Sequence, residues 1–152
     1  MAEDNDGDLK PDDFERLLLF NKNSSYLWLQ YADYHLKRAD VQSALNVIQR
    51  GLDSMIAGNK DLMQERIDLI LARLQIVRKF QGAEQLEEAI THALRVFEAP
   101  SMLARAICKQ LLEQKEIKAC GRMFEELFKN KKRRQEVPTF LSYVEYLFAA
   151  GL

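Results

Sequence analysis

Three stretches of this chain carry the same arrangement of residues. Val41, Ala44, Ile48 and Leu52 stand at relative positions 0, 3, 7 and 11, as do Leu86, Ala89, Ala93 and Phe97, and again Ile117, Cys120, Phe124 and Phe128. That spacing marks one face of an α-helix and does not suit a strand. At position 3 the residue is small each time (Ala44, Ala89, Cys120), which lets a partner helix come close while the larger side chains fill the groove. A second echo runs through the aromatics. When "LWLQYADYHL" is set above "TFLSYVEYLF", Trp28, Tyr31 and Tyr34 fall on Phe140, Tyr143 and Tyr146, 112 residues on, which is three units of about 37. Weaker counterparts lie near Ile70 and Ala104. Self-similarity at this period predicts an all-α chain, an α-solenoid of antiparallel helix pairs whose faces are buried only by stacking.

About eight helices follow. Pro11 and Asp12 open a short one in which Phe14, Leu17 and Leu18 share a face. Ser24 or Ser25 caps a helix over about 25–38, and Asp40 caps another over 41–57, stopped by Gly58-Asn59. The stretch 61–80 includes Leu69, Ile70 and Leu71 in succession, as expected of a helix packed on two sides. Helices over 83–98, 101–113, 116–130 and 138–150 complete the set, with Pro138 in the first turn of the last. Residues 1–10 read as a disordered acidic tail or linker and 11–152 as the repeat domain. Position 140 corresponds to 28, so Leu152 corresponds to Asp40, and the last pair is expected to be incomplete.

Charge is uneven. The chain is net −1, yet residues 1–13 hold Glu3, Asp4, Asp6, Asp8, Asp12 and Asp13 against Lys10 alone, which leaves the remainder positive. Lys129, Lys131, Lys132, Arg133 and Arg134 form the densest cationic run and the candidate RNA contact. A solvated joint at a helix C-terminus or a nuclear targeting signal also fits such a run. Arg73, Arg78 and Lys79 form a looser group. The aromatic stripe admits two uses, a base-stacking surface or the inside of a helix pair. Asp33 and Gln30 lie beside it, its cations stand only at its end, and it recurs, so packing is the expected role of Trp28, Tyr31, Tyr34, Phe140, Tyr143 and Tyr146. Cys108 and Cys120 fall in helical patterns and read as buried thiols. His35 and His92 have no second ligand at metal spacing, and no Gly-rich phosphate loop occurs. No catalytic residue, metal site, cofactor or small-molecule substrate is expected. No apolar run reaches 18 residues, and the acidic first residues do not suit a signal peptide, so no membrane contact is expected.

The spacing W-x-x-Y-x-x-Y in a first helix, with Arg50-Gly51-Leu52 in the second, resembles the HAT (half-a-tetratricopeptide) repeat rather than the tetratricopeptide unit with its W…LG…Y pattern. His35 stands where an acid usually follows, and Gln49-Arg50-Gly51 where Glu-Arg-Ala is usual. A more specific resemblance lies in "DDFERLLLFNKNSSYLWLQYADYHL". Phe14, Glu15, Arg16, Leu17 and Leu18, then Asn23, Ser24 and Ser25, then Trp28, Leu29 and Tyr31, resemble the entry to the C-terminal HAT domain of the ribosomal RNA processing protein 5 (programmed cell death protein 11) family. The resemblance is strong over 12–52 and extends to 150 through the hydrophobic pattern. It implies a non-enzymatic scaffold in ribosome biogenesis, supporting pre-rRNA processing in the nucleolar small-subunit processome. Its implied partners are pre-ribosomal RNA of the small-subunit precursor and ribosome-assembly proteins. The alternative is a HAT-type protein–protein adaptor of splicing or mRNA 3′-end processing.

Overall fold

The structure, a computed structural model, describes residues 8–129 and 136–151, leaving the side chains of residues 137 and 138 aside. Among these residues lie eight α-helices and no strand: α1 (Pro11–Asn21), α2 (Ser25–Lys37), α3 (Val41–Ser54), α4 (Met63–Phe80), α5 (Ala83–Val96), α6 (Pro100–Glu113), α7 (Ile117–Phe128) and α8 (Val137–Ala149). A 3₁₀ turn, Lys60–Leu62, leads into α4. The all-α expectation holds, and the fold fits a helical-repeat solenoid. The chain divides into two compact units, 1–76 and 77–152, with the division falling inside α4.

In the first unit α1 packs on α2 and α2 on α3. Ser24 caps α2, its Oγ accepting from Leu27 N at 3.4 Å, and Asp40 caps α3, its Oδ1 accepting from Ser43 N at 3.1 Å. The core joins Phe14 and Leu18 of α1, Trp28, Tyr31 and Ala32 of α2, and Ala44, Val47 and Ile48 of α3. Leu62, Leu69 and Ile76, seven residues apart, add one face of the next segment to that core. Ile67, Ile70, Leu74 and Val77 are buried on a second face of α4. Leu17 does not share the buried face of α1: it is 39% exposed.

Gly51 sets the approach of α2 to α3. A Cβ there would stand 2.9 Å from Trp28 Cγ and 3.0 Å from Leu69 Cδ1, closer than side chains pack. Trp28 therefore packs directly against bare backbone, and its Nε1 donates to Lys22 O at 2.8 Å. The same carbonyl accepts from Ser54 Oγ at 3.2 Å. The single hydroxyl proton of Ser54 is shared with Gly51 O, 2.8 Å away, and α3 ends at Ser54, earlier than the periodicity predicts. Met55 then turns extended and is buried.

In the second unit first helix stacks on first helix, α6 on α8, and second helix on second, α5 on α7. Leu103, Ala104, Ile107, Cys108 and Leu111 of α6 meet Ala119, Cys120, Met123, Phe124 and Leu127 of α7 in its core. Phe97 repeats the behaviour of Met55: it is buried and extended just past α5, not helical as its spacing suggests. Ile90 is buried on α5 while Ala89 is only half-buried, so the small position that is fully enclosed at Ala44 and Cys120 is rotated partly outward here.

The two intra-pair turns are alike. Between α2 and α3, Ala39 has φ 58°, and Asp40 N donates to His35 O at 2.9 Å; between α6 and α7, Lys115 has φ 60°, and Glu116 N donates to Leu111 O at 2.8 Å. Both are left-handed helix ends with a residue bearing a Cβ where glycine is preferred. Replacing Ala39 or Lys115 by Gly is expected to raise stability by about 0.5–1 kcal/mol in urea unfolding, because the strain removed outweighs the added freedom of the unfolded chain. Gly51→Ala is expected to do the reverse. Overpacking against Trp28 costs about 1–3 kcal/mol, which exceeds the ~1 kcal/mol alanine gains in helix propensity. A urea midpoint that stays level or rises in Gly51→Ala would refute the close approach.

Candidate interaction surfaces

The motif residues of α1 to α3 converge on one polar junction. Glu15 accepts from both terminal nitrogens of Arg50, at 2.7 and 2.9 Å, and its Oε1 also accepts the Tyr31 hydroxyl at 3.0 Å. Arg50 stands one residue before Gly51, so its guanidinium passes over the Trp28 ring, 5.4 Å from its centroid. Phe14 stacks on Tyr31 with centroids 4.9 Å apart and planes 7° apart. The Arg50 hydrogen bonds hold the Glu15 carboxyl below the usual glutamate range, against partial burial. Burial, then the bond to Glu15, raises the Tyr31 hydroxyl. Each group is thus fixed in the state that holds the junction: carboxylate, guanidinium and phenol.

The two aromatic stripes differ in what they touch. Trp28 and Tyr31 are buried, and Tyr34 is half-buried with the Arg38 guanidinium 3.5 Å from its ring centroid. In α8 the packing role expected of Phe140 fails, since Phe140 is 56% exposed. Tyr143 and Tyr146 pack back onto the preceding helix: Tyr143 lies 4.8 Å from Phe128 and 5.3 Å from Phe124, and Tyr146 lies 5.6 Å from Phe124. Gly121 makes room for the Tyr146 hydroxyl, as a Cβ there would meet it at 2.5 Å. Trp28 covers the second helix of its own pair; Tyr146 covers that of the pair before.

Of the basic run, Lys129 is described and exposed, whereas Lys131, Lys132, Arg133 and Arg134 lie outside the described residues, as do residues 1–7 of the acidic tail and Leu152. Lys129 Nζ is 2.9 Å from Glu126 Oε2, and Arg95 reaches the other oxygen of Glu126 at 2.9 Å. Those two cations, Lys129 first, lower the Glu126 carboxyl. Arg122 pairs with Glu87 across the same groove between α5 and α7. Glu84, Glu87, Glu88, Glu125 and Glu126 line this groove against Arg95, Arg122 and Lys129, with His92 beside them. The groove next to Lys129 is therefore an ion-paired seam with surplus carboxylate. In the looser group, Arg78 pairs with Glu116 at 2.9 Å, and Lys79 lies 5.3 Å from the Phe80 ring.

Cys108 and Cys120 come together, though they lie 12 residues apart on different helices. Both are buried, with Cys120 Sγ donating to Cys108 Sγ at 3.5 Å and Cys108 Sγ donating to Ser142 O at 3.6 Å. That bond and burial raise the Cys120 thiol well above its ordinary value. Cys120 is thus held as the protonated donor, and the pair serves as packing between α6, α7 and α8. Among the described residues no group of three or more His, Cys, Asp or Glu side chains is placed to hold a metal ion. Nor is any helix there long and apolar enough to cross a membrane.

Stacked antiparallel pairs, aromatics wedged against glycines and charged outer faces define a helical-repeat protein. Similarity to known proteins narrows this class. The chain is 26% identical over 136 residues, 90% of its length, to human "Protein RRP5 homolog". It is 26% identical over 132 residues to the mouse protein of the same name, and 27% over 135 residues to "rRNA biogenesis protein rrp5" of Schizosaccharomyces pombe. These proteins are its homologues, in agreement with the resemblance of the Phe14–Tyr31 segment. The chain spans only 7–8% of their length and so matches one segment of each. No family model matches it.

The junction carries a pH signature. A carboxyl lowered by folding contributes stability that is present above the ordinary glutamate pKa and lost as pH falls through the lowered one. Glu15 and Arg50 are about half exposed (42% and 50%), so the contribution is about 0.5–1 kcal/mol. Glu15→Gln is expected to be less stable than the parent by that amount at neutral pH. The gap should close in acid, as read from urea melts across pH. A gap that persists in acid would mean the glutamate acts by packing alone.

Proposed function

We propose that this chain is a non-enzymatic assembly module of ribosome biogenesis. It acts in pre-rRNA processing for the small subunit within nucleolar pre-ribosomes, through RNA and protein contacts of its helical repeats. The observation that carries this reading is homology to proteins named for RRP5 and rRNA biogenesis over nine-tenths of the chain. The fold supports it, because stacked helix pairs offer long outer faces while their aromatics are taken up in packing. RNA contact falls to the cationic run, Lys129, Lys131, Lys132, Arg133 and Arg134, whose residues are closely spaced for phosphate binding. The carboxylate-rich groove between α5 and α7 repels phosphate, which supports assigning it to protein partners.

Titration with small-subunit pre-rRNA fragments at several salt concentrations tests this reading. Binding is expected to weaken with salt. Changing the five cations to Ala should reduce the log–log salt slope by roughly 3.5, at about 0.7 per phosphate contact on single strands. Binding that is absent, or indifferent to salt and to these substitutions, would favour the protein–protein adaptor.

A further inference from the structure

The helices α2 and α8 hold the same place in two sets of neighbours. Phe14 of α1 meets Tyr31 and Tyr34 of α2, with ring centroids 4.9 and 6.3 Å apart. Phe124 of α7 meets Tyr143 and Tyr146 of α8 at 5.3 and 5.6 Å. The 112-residue offset carries Tyr31 to Tyr143 and Tyr34 to Tyr146, so α7 stands to α8 as α1 stands to α2. The next face of α2 is taken by α3. There Trp28 packs against Gly51, and Ala32 and Leu36 follow at four-residue steps. Ala32 is buried, while Leu29 and Leu36 pack half-buried on the same core. The offset carries these four residues to Phe140, Leu141, Val144 and Phe148. On α8 this face is open: Phe140, Leu141 and Phe148 are 56%, 55% and 80% exposed, and Val144 is half-buried. The opposite face is closed, with Thr139 Oγ1 donating to Ser101 Oγ of α6 at 3.1 Å. The three exposed side chains present roughly 350 Å² of apolar area, taking large side chains at ~150–250 Å² each. Patches of about 300–600 Å² on monomers are often functional.

We propose that this face of α8 binds an amphipathic helix of a partner protein, seated as α3 is seated on α2. The α2–α3 interface supplies the chemistry of the occupant. Toward α2, α3 buries Ala44, Val47, Ile48 and Gly51: two small residues seven apart, with branched apolar ones between. A partner helix with small residues two turns apart on its apolar face lets Phe140 and Phe148 approach its backbone at either end of the contact. Charge adds a second requirement. Glu145 is the one charged side chain of α8 and lies exposed in the stripe. Its register equivalent, Asp33, pairs with Lys37 at 3.0 Å, but Ala149 stands at the place of Lys37. A lysine or arginine flanking the apolar face of the partner answers that carboxylate. A second α8 does not fit, because α8 carries no cation and two copies bring two carboxylates onto one apolar contact. The surface is separate from both the cationic run and the groove between α5 and α7.

The chain's own α3 sequence serves as the probe. A peptide of residues 41–54 carries a fluorescein label and is held helical by a lactam between Gln42→Lys and Asn46→Asp, both exposed in α3. Titrated with the full chain, it is expected to show a saturable rise in anisotropy. Phe148→Glu in the chain should weaken binding about tenfold or more with unchanged circular dichroism, since that side chain is exposed. Gly51→Leu in the peptide should weaken it comparably, by holding Phe140 off the backbone. Leu19→Glu on α1 should leave it level. Emission of Trp28, the single Trp of the chain, should not move when unlabelled peptide is added, because α3 stays on α2. No saturation at millimolar chain, or binding indifferent to Phe148→Glu or to Gly51→Leu in the peptide, overturns the proposal. A shift of Trp28 emission overturns it too, since the peptide has then displaced α3. Self-association of the parent chain in sedimentation that Phe148→Glu abolishes overturns it in favour of a second copy.

Discussion

The first unit depends on how near α2 can come to α3, and the absent side chain of Gly51 sets that distance. With no Cβ beneath it, the Trp28 ring lies against the backbone of α3 and still reaches Lys22 O with its indole nitrogen. Leu69 fills the space on the other side of the glycine and brings α4 into the same contact. Arg50, one residue earlier, is carried over the outer face of Trp28 to Glu15, which fastens α1. One missing methyl thus organises four helices, and the surrounding polar bonds are consequences of where it places Trp28. The order of energies agrees: close packing of a large aromatic contributes several times more than a half-exposed ion pair.

The sequence made the helices legible because apolar positions three and four apart leave a strong trace in each of them. It did not show where they end. Met55 and Phe97 continue the apolar period, yet each is worth more as an extended plug over the core than as a further turn of helix. The left-handed turns at Ala39 and Lys115 left no trace, because neither residue favours that conformation locally; the pairing of the flanking helices imposes it. Ala89 was misplaced for a related reason. Its stripe reads equally well through Ile90, and only contact with α7 decides between them.

The aromatic echo shows how a repeat in sequence can hide a difference in contacts. Trp28 and Phe140 share a register position, but one is buried on Gly51 and the other is exposed. Tyr146 uses a glycine too, Gly121, but on the preceding helix. Glu15 and Arg50, 35 residues apart, and Cys108 and Cys120, 12 apart, were unreadable as partners for the same reason: periodicity assigns faces, and only packing assigns neighbours. The cationic run was legible as composition but not as surface charge. Glu126, three residues before Lys129, shares its carboxylate between Lys129 and Arg95, so the first cation of the run already has a partner.

Comparison of the helices separates two kinds of outer face. The segments α5 and α7 turn Glu87, Glu126, Arg95 and Arg122 outward, and these pair across their groove, giving a face that is stable in water. By contrast α4 is apolar on two faces and buried on both, through Leu69 on one and Ile70 and Leu74 on the other. In composition α1 and α8 belong with α4: Leu17, Leu19 and Phe20, or Phe140, Leu141 and Phe148, stand where α5 and α7 place charge. Residues of that kind lose hydrophobic stabilisation in water, about 1.5–3 kcal/mol for each large side chain left uncovered.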